Sequence, residues 1–264
     1  MSTPRYTHGH HESVLRSHAR RTVENSAAYL LPHLRSGMSL LDVGCGPGTI
    51  TADLAEAVAP GRVLAIDTGA AVIDQARRAT SDAGVEVRVG DIYALDEPDG
   101  AFDVIHAHQT LQHVPDPVAA LREMKRLAAS GGLVAARDAD YAGMTWFPRV
   151  PALDDWMNLY QRVARSNRGE PDAGRRLLAW AHAAGFVEVE ASASVWCYAS
   201  PQDRRWWGGM WADRILQSDI ATQAVALGLA TLADLQRISA GWLEWAADPD
   251  GWFVIPHGEI LCRR

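Results

Sequence analysis

One stretch constrains this chain more than any other: Leu40-Leu41-Asp42-Val43-Gly44-Cys45-Gly46-Pro47-Gly48-Thr49. Two apolar residues run into an acid, and three glycines follow at alternate positions. The pattern predicts the end of a buried parallel strand that turns sharply into a helix. Glycines let the backbone turn tightly and approach a ligand, because no Cβ stands in the way. The first N–H groups of the following helix would point at that ligand. The spacing is G-x-G-x-G and departs from the G-x-G-x-x-G of a dinucleotide fingerprint, with an acid two residues before the first glycine. A carboxylate there repels a pyrophosphate and favours a ligand that carries an ammonium.

Beyond this turn the chain alternates strand and helix. Strands are predicted over 38–43, 62–66, 85–89, 101–107 and 133–136, and helices over 49–58, 72–83 and 118–129. Asp116 supplies an N-cap and Pro117 a first helical residue for the last of these helices. Such alternation builds a parallel sheet, which binds ligands at the carboxyl ends of its strands. Acids stand at three of those ends: Asp42, Asp67 and Asp91. Asp67 lies about 20 residues past the glycine turn, where a carboxylate accepts ribose hydroxyls; it could also cap the next helix, but its position and context favour the ribose. Asp91 could accept from an adenine amino group with Ile92 packed on the base, or could act only as a cap. Together the three acids converge on one ligand.

The net charge of −7, from 25 basic and 32 acidic residues, opposes a nucleic-acid surface. Cys45, Cys197 and Cys262 show neither metal spacing nor a disulfide framework. No apolar run reaches the length of a membrane span, and the N-terminus lacks the apolar core of a signal peptide. A cytoplasmic protein without integral membrane contact is expected. Residues 1–36 form an arm containing His8, His10, His11 and His18, then an amphipathic helix over 21–34 with Pro32 near its end. The arm is expected to cover the ligand, and no metal site is expected.

After residue 143 the alternation breaks. Helices are predicted over 152–164 and 172–184, strands over 186–198 and 252–262, and a helical stretch over 201–249 between those strands. All ten tryptophans lie beyond residue 140, with Trp206, Trp207 and Trp211 clustered in the helical stretch. Indole-rich surfaces suit flat apolar ligands. These rings form either a lid that contacts substrate, a small core of their own, or a dimer contact.

Residues 38–135 closely resemble the core of class I S-adenosylmethionine-dependent methyltransferases. Within these they are most similar to the small-molecule group that includes the ubiquinone and menaquinone biosynthesis enzymes. LLDVGCGPGTIT, the acid of VLAIDTG, the GDI segment and FDVIHAHQTLQHVPDPVAALREMKRLAASGG carry the resemblance. It implies an α/β Rossmann-like fold with helices on both faces. The sheet would have seven mostly parallel strands in the order 3-2-1-4-5-7-6. The methyltransferase core would be 37–200 with 250–264, and 201–249 would be a helical cap inserted between the last two strands. The implied cofactor is S-adenosylmethionine. Asp42 would sit near its ammonium, Gly44, Cys45 and Gly46 along its methionine part, and Asp67 with Thr68 at the ribose. Asp91 and Ile92 would meet the adenine, and Ala107 and His108 would pass near the sulfonium. Cys45 reads as packing and not as a nucleophile.

Methyl transfer from a sulfonium is an in-line displacement governed by positioning and exclusion of water, with a general base where the acceptor must lose a proton. The catalytic candidates are His108, His113 and Asp138. Each has a competing role: orienting a ligand for His108, ordering the loop for His113, and an exposed loop acid for Asp138. The substrate-binding candidates are Gln109, Asp140, Tyr141, Trp207 and Trp211. His106, inward on a buried strand, reads as a satisfied core residue. The expected activity is methyl transfer to oxygen, nitrogen or carbon of a small, largely apolar or aromatic metabolite, with a homodimer as a further expectation. The alternative is a cofactor-binding sensor or partner subunit of the same fold without transferase activity. A nicotinamide oxidoreductase is opposed by Asp42.

Overall fold

Short runs of Val, Ile, Leu and Ala give the strands on which the site is built. A computed structural model describes residues 20–264. In chain order its helices and strands are α1 (Val23–Ser26), β1 (Leu40–Val43), α2 (Thr49–Val58), β2 (Val63–Asp67), α3 (Ala70–Ala79), β3 (Glu86–Val89) and β4 (Phe102–His108). Next come α4 (Pro117–Leu127), β5 (Ala128–Ala139), β6 (Thr145–Phe147), α5 (Pro151–Ser166), α6 (Leu177–Ala183) and β7 (Glu188–Tyr198). The chain closes with α7 (Pro201–Gln217), α8 (Asp219–Ala226), α9 (Leu232–Ala247) and β8 (Trp252–Arg263).

The sheet runs β3-β2-β1-β4-β5-β8-β6, and β7 also pairs with β8. β1 to β5 are parallel, and β8 lies antiparallel to β5. The expected strand order is therefore present, with β7 and β8 as its last two members. One strand exceeds the expectation. β6 has three residues, Thr145 to Phe147, which pair with Val254 to Trp252. Three residues are too few to show a periodicity of two.

The chain forms two compact units. One contains the described residues up to Ala139 with Ala173–Ser194 and His257–Arg264. Its central strands β1, β2 and β4 and the second half of β5 are buried on both sides, as continuous apolar runs require. Leu41, Ile105 and Val134 meet Leu121 and Met124 of α4 and Leu177 of α6. Leu40, Val104 and Ala135 point the other way, toward Leu54 and Val58 of α2 and Leu30. Asp116 caps α4 by accepting from the Ala119 N–H at 2.9 Å, as its sequence position implies. The helix expected over 21–34 is shorter. It consists of α1 and a separate 3-10 turn, Leu31–His33. Pro32 lacks the N–H that would continue the ladder, and the Asn25 side chain takes the Thr22 N–H at 3.0 Å.

The other unit contains Asp140–Asp172 and Val195–Pro256. The helical stretch 201–249 thus shares one body with 140–172. Its core is aromatic. Trp156 is 0% exposed, and its ring lies 4.7 Å from Trp211 and 4.8 Å from Trp242, both edge-on. Tyr141 stacks on Tyr160 at 3.9 Å, and Trp207 stacks on Tyr198 at 4.4 Å. Edge-to-face and offset packing suits the ring quadrupoles. Gly208 lets α7 and α9 approach closely, since a Cβ there would lie 2.6 Å from that of Ala246.

Candidate active site

The glycine turn leaves β1 through three left-handed residues: Gly44 at φ 72, Gly46 at φ 55 and Gly48 at φ 85. The Gly44 and Cys45 N–H groups both donate to the Ile66 carbonyl, at 2.8 and 3.0 Å. Gly44 also needs its missing side chain, because a Cβ would stand 2.4 Å from Thr110 Oγ1. Asp67, half-buried at the end of β2, accepts the Gly46 N–H at 3.1 Å on one oxygen and the Gly69 N–H at 2.8 Å on the other. Each oxygen keeps a lone pair for a ligand hydroxyl. Thr68 beside it is exposed. At the next strand end Asp91 is exposed and accepts from the Tyr93 N–H at 3.0 Å, while Ile92 is buried. Burial, reinforced by the Asp42 and Asp67 charges, pushes the Cys45 thiol well up, so Cys45 is no thiolate nucleophile.

Asp42 is 3% exposed. One of its oxygens accepts from Thr51 Oγ1 at 2.5 Å, and the other meets His106 Nδ1 at 2.8 Å. Its charge lies behind the glycine turn, held by partners from α2 and β4.

A second cluster sits where β4 and β5 end. Ala107 and His108 are buried. Gln109 adopts a left-handed backbone, φ 49, which is uncommon outside glycine and is stabilised here by its surroundings. Its N–H donates to the Arg137 carbonyl at 2.7 Å. Its side-chain oxygen accepts from Arg21 Nη2 at 2.6 Å, and its amide nitrogen lies 2.9 Å from His257 Nε2. Arg21 can only donate, so the amide presents oxygen to Arg21 and donates NH₂ to His257. The His257 ring stacks on His108 at a centroid distance of 6.3 Å. Asp138, 0% exposed, accepts the Gln112 N–H at 3.0 Å. Gln112 in turn accepts from the Ala139 N–H at 3.2 Å and bonds His113 at 3.0 Å.

These groups are electrically shifted by burial. It holds His108 well below the ordinary imidazole range, and the nearby Arg21 and Arg137 charges add to the effect. His113 is pushed down to about 3 by burial and by Arg21. Burial lifts Asp138 to about 7, partly offset by the N–H groups of Gln112 and Leu111. Near neutrality this edge therefore presents uncharged imidazoles and a carboxyl poised to gain or lose a proton.

The structure thus brings His108, Gln109, His113 and Asp138 to one edge. Asp138 is interior, and the exposed-acid reading of it fails. Three sequence-derived substrate candidates belong to the other unit. Tyr141, Trp207 and Trp211 are 6%, 6% and 1% exposed, in the aromatic core of the other unit. Packing accounts for them because their ring faces are covered by Tyr160, Tyr198, Trp156 and Trp242. Asp140 belongs to that unit and accepts the Gly143 N–H at 3.2 Å, closing a turn. The histidine-rich arm lies outside the described residues. Arg21, Gln112 and His257 were not anticipated. A signal for His257 exists: β8 buries alternate residues Phe253, Ile255, His257 and Glu259, so two polar side chains occupy inward positions.

Among the described residues no group of His, Cys, Asp and Glu side chains is arranged to hold a metal ion, and no helix is long and apolar enough to cross a membrane. The glycine turn, the free lone pairs of Asp67 and the exposed Asp91 at successive strand ends fit a nucleoside with a methionine tail.

Comparison with known proteins agrees. A methyltransferase-domain family profile matches residues 34–204. An uncharacterized methyltransferase of Schizosaccharomyces pombe is 33% identical over 272 residues, covering 98% of this chain and 96% of that one. A ubiquinone biosynthesis O-methyltransferase of Pseudomonas paraeruginosa is 38% identical over 102 residues, covering 38% of this chain and 43% of that one. The YcgJ protein of Bacillus subtilis has the same fold, with a TM-score of 0.60 at 20% identity over 91% of this chain and 98% of that one. With the glycine turn and strand-end acids already in place, these matches establish that the chain belongs to the S-adenosylmethionine-dependent methyltransferases.

Proposed function

We propose that this enzyme methylates an oxygen, nitrogen or carbon of a small, largely apolar or aromatic metabolite at the β4–β5 edge. The observation that carries this reading is the clamp on Gln109. A non-glycine residue held at φ 49 between Arg21 and His257, next to His108, is a pre-organised polar surface of the kind found at reacting centres.

S-adenosylmethionine supplies a methyl group already activated by its sulfonium. The chain's own residues bind and position. Asp67 and Thr68 hold the ribose hydroxyls, Asp91 and Ile92 hold the adenine, and the backbone at Gly44, Cys45 and Gly46 follows the methionine part. Ala107 and His108 border the transfer point. His108 is buried and close to Arg21 and Arg137, so a positive charge on its ring is disfavoured. It orients the acceptor by hydrogen bonding. Asp138, lifted to about 7, has the proton affinity suited to taking a proton from the acceptor near neutrality, directly or through its loop. His113, bonded to Gln112, orders that loop.

The test is release of S-adenosylhomocysteine when the protein is given S-adenosylmethionine and a panel of phenols, amines and apolar carbon acids. Asp67→Ala should weaken S-adenosylhomocysteine binding about tenfold or more, because two charge-assisted hydrogen bonds to the ribose are lost. Unchanged affinity in a folded Asp67→Ala protein would refute the site assignment.

A further inference from the structure

Asp42 and His106 face each other in register across β1 and β4, and both are buried. The Asp42 carboxylate has one donor on each oxygen: Thr51 Oγ1 at 2.5 Å and His106 Nδ1 at 2.8 Å. Among the described residues no lysine or arginine pairs with it. The far nitrogen of the imidazole, His106 Nε2, is buried without a hydrogen-bond partner.

That orphaned nitrogen decides the ring's charge. An imidazolium would carry an N–H at Nε2 with nothing to accept it, in a site away from water. The neutral ring with its proton on Nδ1 donates to Asp42 and leaves only a weaker, unfilled acceptor behind. Thr51 is likewise a neutral donor. Lysine or arginine at position 106 would also satisfy the carboxylate, but would cancel its charge. The arrangement holds the carboxylate in place by two hydrogen bonds and leaves its negative charge uncompensated, directly behind the glycine turn.

We infer that His106 is a positioning residue for the cofactor: it orients Asp42 while preserving the charge that attracts the cofactor's ammonium. The inference rests on the proposed placement of the amino-acid end of the cofactor at Gly44–Gly46. His106 acts through Asp42 and has no direct part in methyl transfer.

The test uses two ligands on the full chain, titrated by calorimetry. S-adenosylhomocysteine carries the ammonium, and methylthioadenosine keeps the nucleoside and thioether but lacks the amino acid. Asp42→Asn should weaken S-adenosylhomocysteine binding about tenfold and leave methylthioadenosine unchanged, as loss of one partly screened charge attraction predicts. His106→Leu should do the same, because the carboxylate loses its neutral donor. His106→Asn, which retains an N–H donor and adds no charge, should restore the preference between the two ligands. Equal loss for both ligands in His106→Leu would reduce His106 to a structural role and overturn the inference, as would an unchanged preference. If His106→Leu does not fold, a preference in His106→Asn as low as in Asp42→Asn overturns it equally. If the unaltered protein binds methylthioadenosine but not S-adenosylhomocysteine, the placement of the amino-acid end falls and the inference with it. If it binds neither, the cofactor site itself is wrong.

Discussion

Replacing Asp138 by asparagine should stabilise the protein, and increasingly so as pH rises. Asp138 is 0% exposed, and burial lifts its carboxyl from the ordinary 3.8 to about 7. Between those two values the folded chain keeps a proton that the unfolded chain gives up. Stability is therefore undiminished by this group below about pH 4, falls as pH rises, and reaches its lower plateau above about pH 7. The full span corresponds to about 4 kcal/mol, of which about 3 falls between pH 5 and pH 8. Asparagine cannot ionise. Its side-chain oxygen can keep the Gln112 N–H at 3.0 Å, and its amide nitrogen replaces the oxygen that is buried without a partner. The protonated acid and the amide thus meet similar surroundings, and the two proteins should differ least at low pH. For a chain of this length about 1 kcal/mol moves the melting temperature by about 2 °C. The advantage of Asp138→Asn should grow by about 5 °C from pH 5 to pH 8, read by thermal scanning and checked by urea titration. A difference that stays constant across that range, or that shrinks as pH rises, would refute the reasoning that Asp138 is an acid kept neutral by burial.

Two further outcomes follow from packing and charge. Trp156→Ala should cost about 3–5 kcal/mol of stability in urea unfolding, because the ring is wholly buried among Trp211, Trp242 and Phe253; a loss below about 1 kcal/mol would contradict its place in the core. Glu259→Gln should cost about 3–5 kcal/mol, since it leaves the 1%-exposed Arg137 guanidinium without the counter-charge now 3.1 Å away, whereas Arg137→Met combined with Glu259→Leu should recover most of that loss in a double-mutant cycle.

What the amino-acid order reveals on its own is local. The glycine turn, the acids at the ends of β1, β2 and β3, and the Asp116-Pro117 helix start each depend on a few neighbouring residues, and each lies where the pattern puts it. The strand order of the sheet was implied by the family resemblance and not by periodicity. Contacts made across long separations were not legible. Arg21 and His257 reach Gln109 from 88 and 148 residues away. The tryptophans were legible as a cluster but not as a core. Their apolar surface suits a ligand and a neighbouring ring equally well, and the rings that pack on them come from segments far apart in the chain.

His257 shows why one site residue escaped. In a parallel sheet ligands meet the carboxyl ends of strands, so the search for reactive side chains runs along those ends. β8 is the antiparallel member, and its register sets Ala139 opposite His257 and Arg137 opposite Glu259. Its first residues pair with β6, and its middle, not its end, lies beside the carboxyl end of β5. A rule suited to five strands points to the wrong end of this one. For an antiparallel strand in such a sheet, the candidates are polar residues at inward positions opposite the carboxyl end of the neighbouring parallel strand. In β8 that rule selects His257 and Glu259. His257 holds Gln109 beside His108, and Glu259 balances Arg137, whose charge helps to keep His108 neutral. The last strand thus contributes to the charge balance at the β4–β5 edge through two inward polar positions.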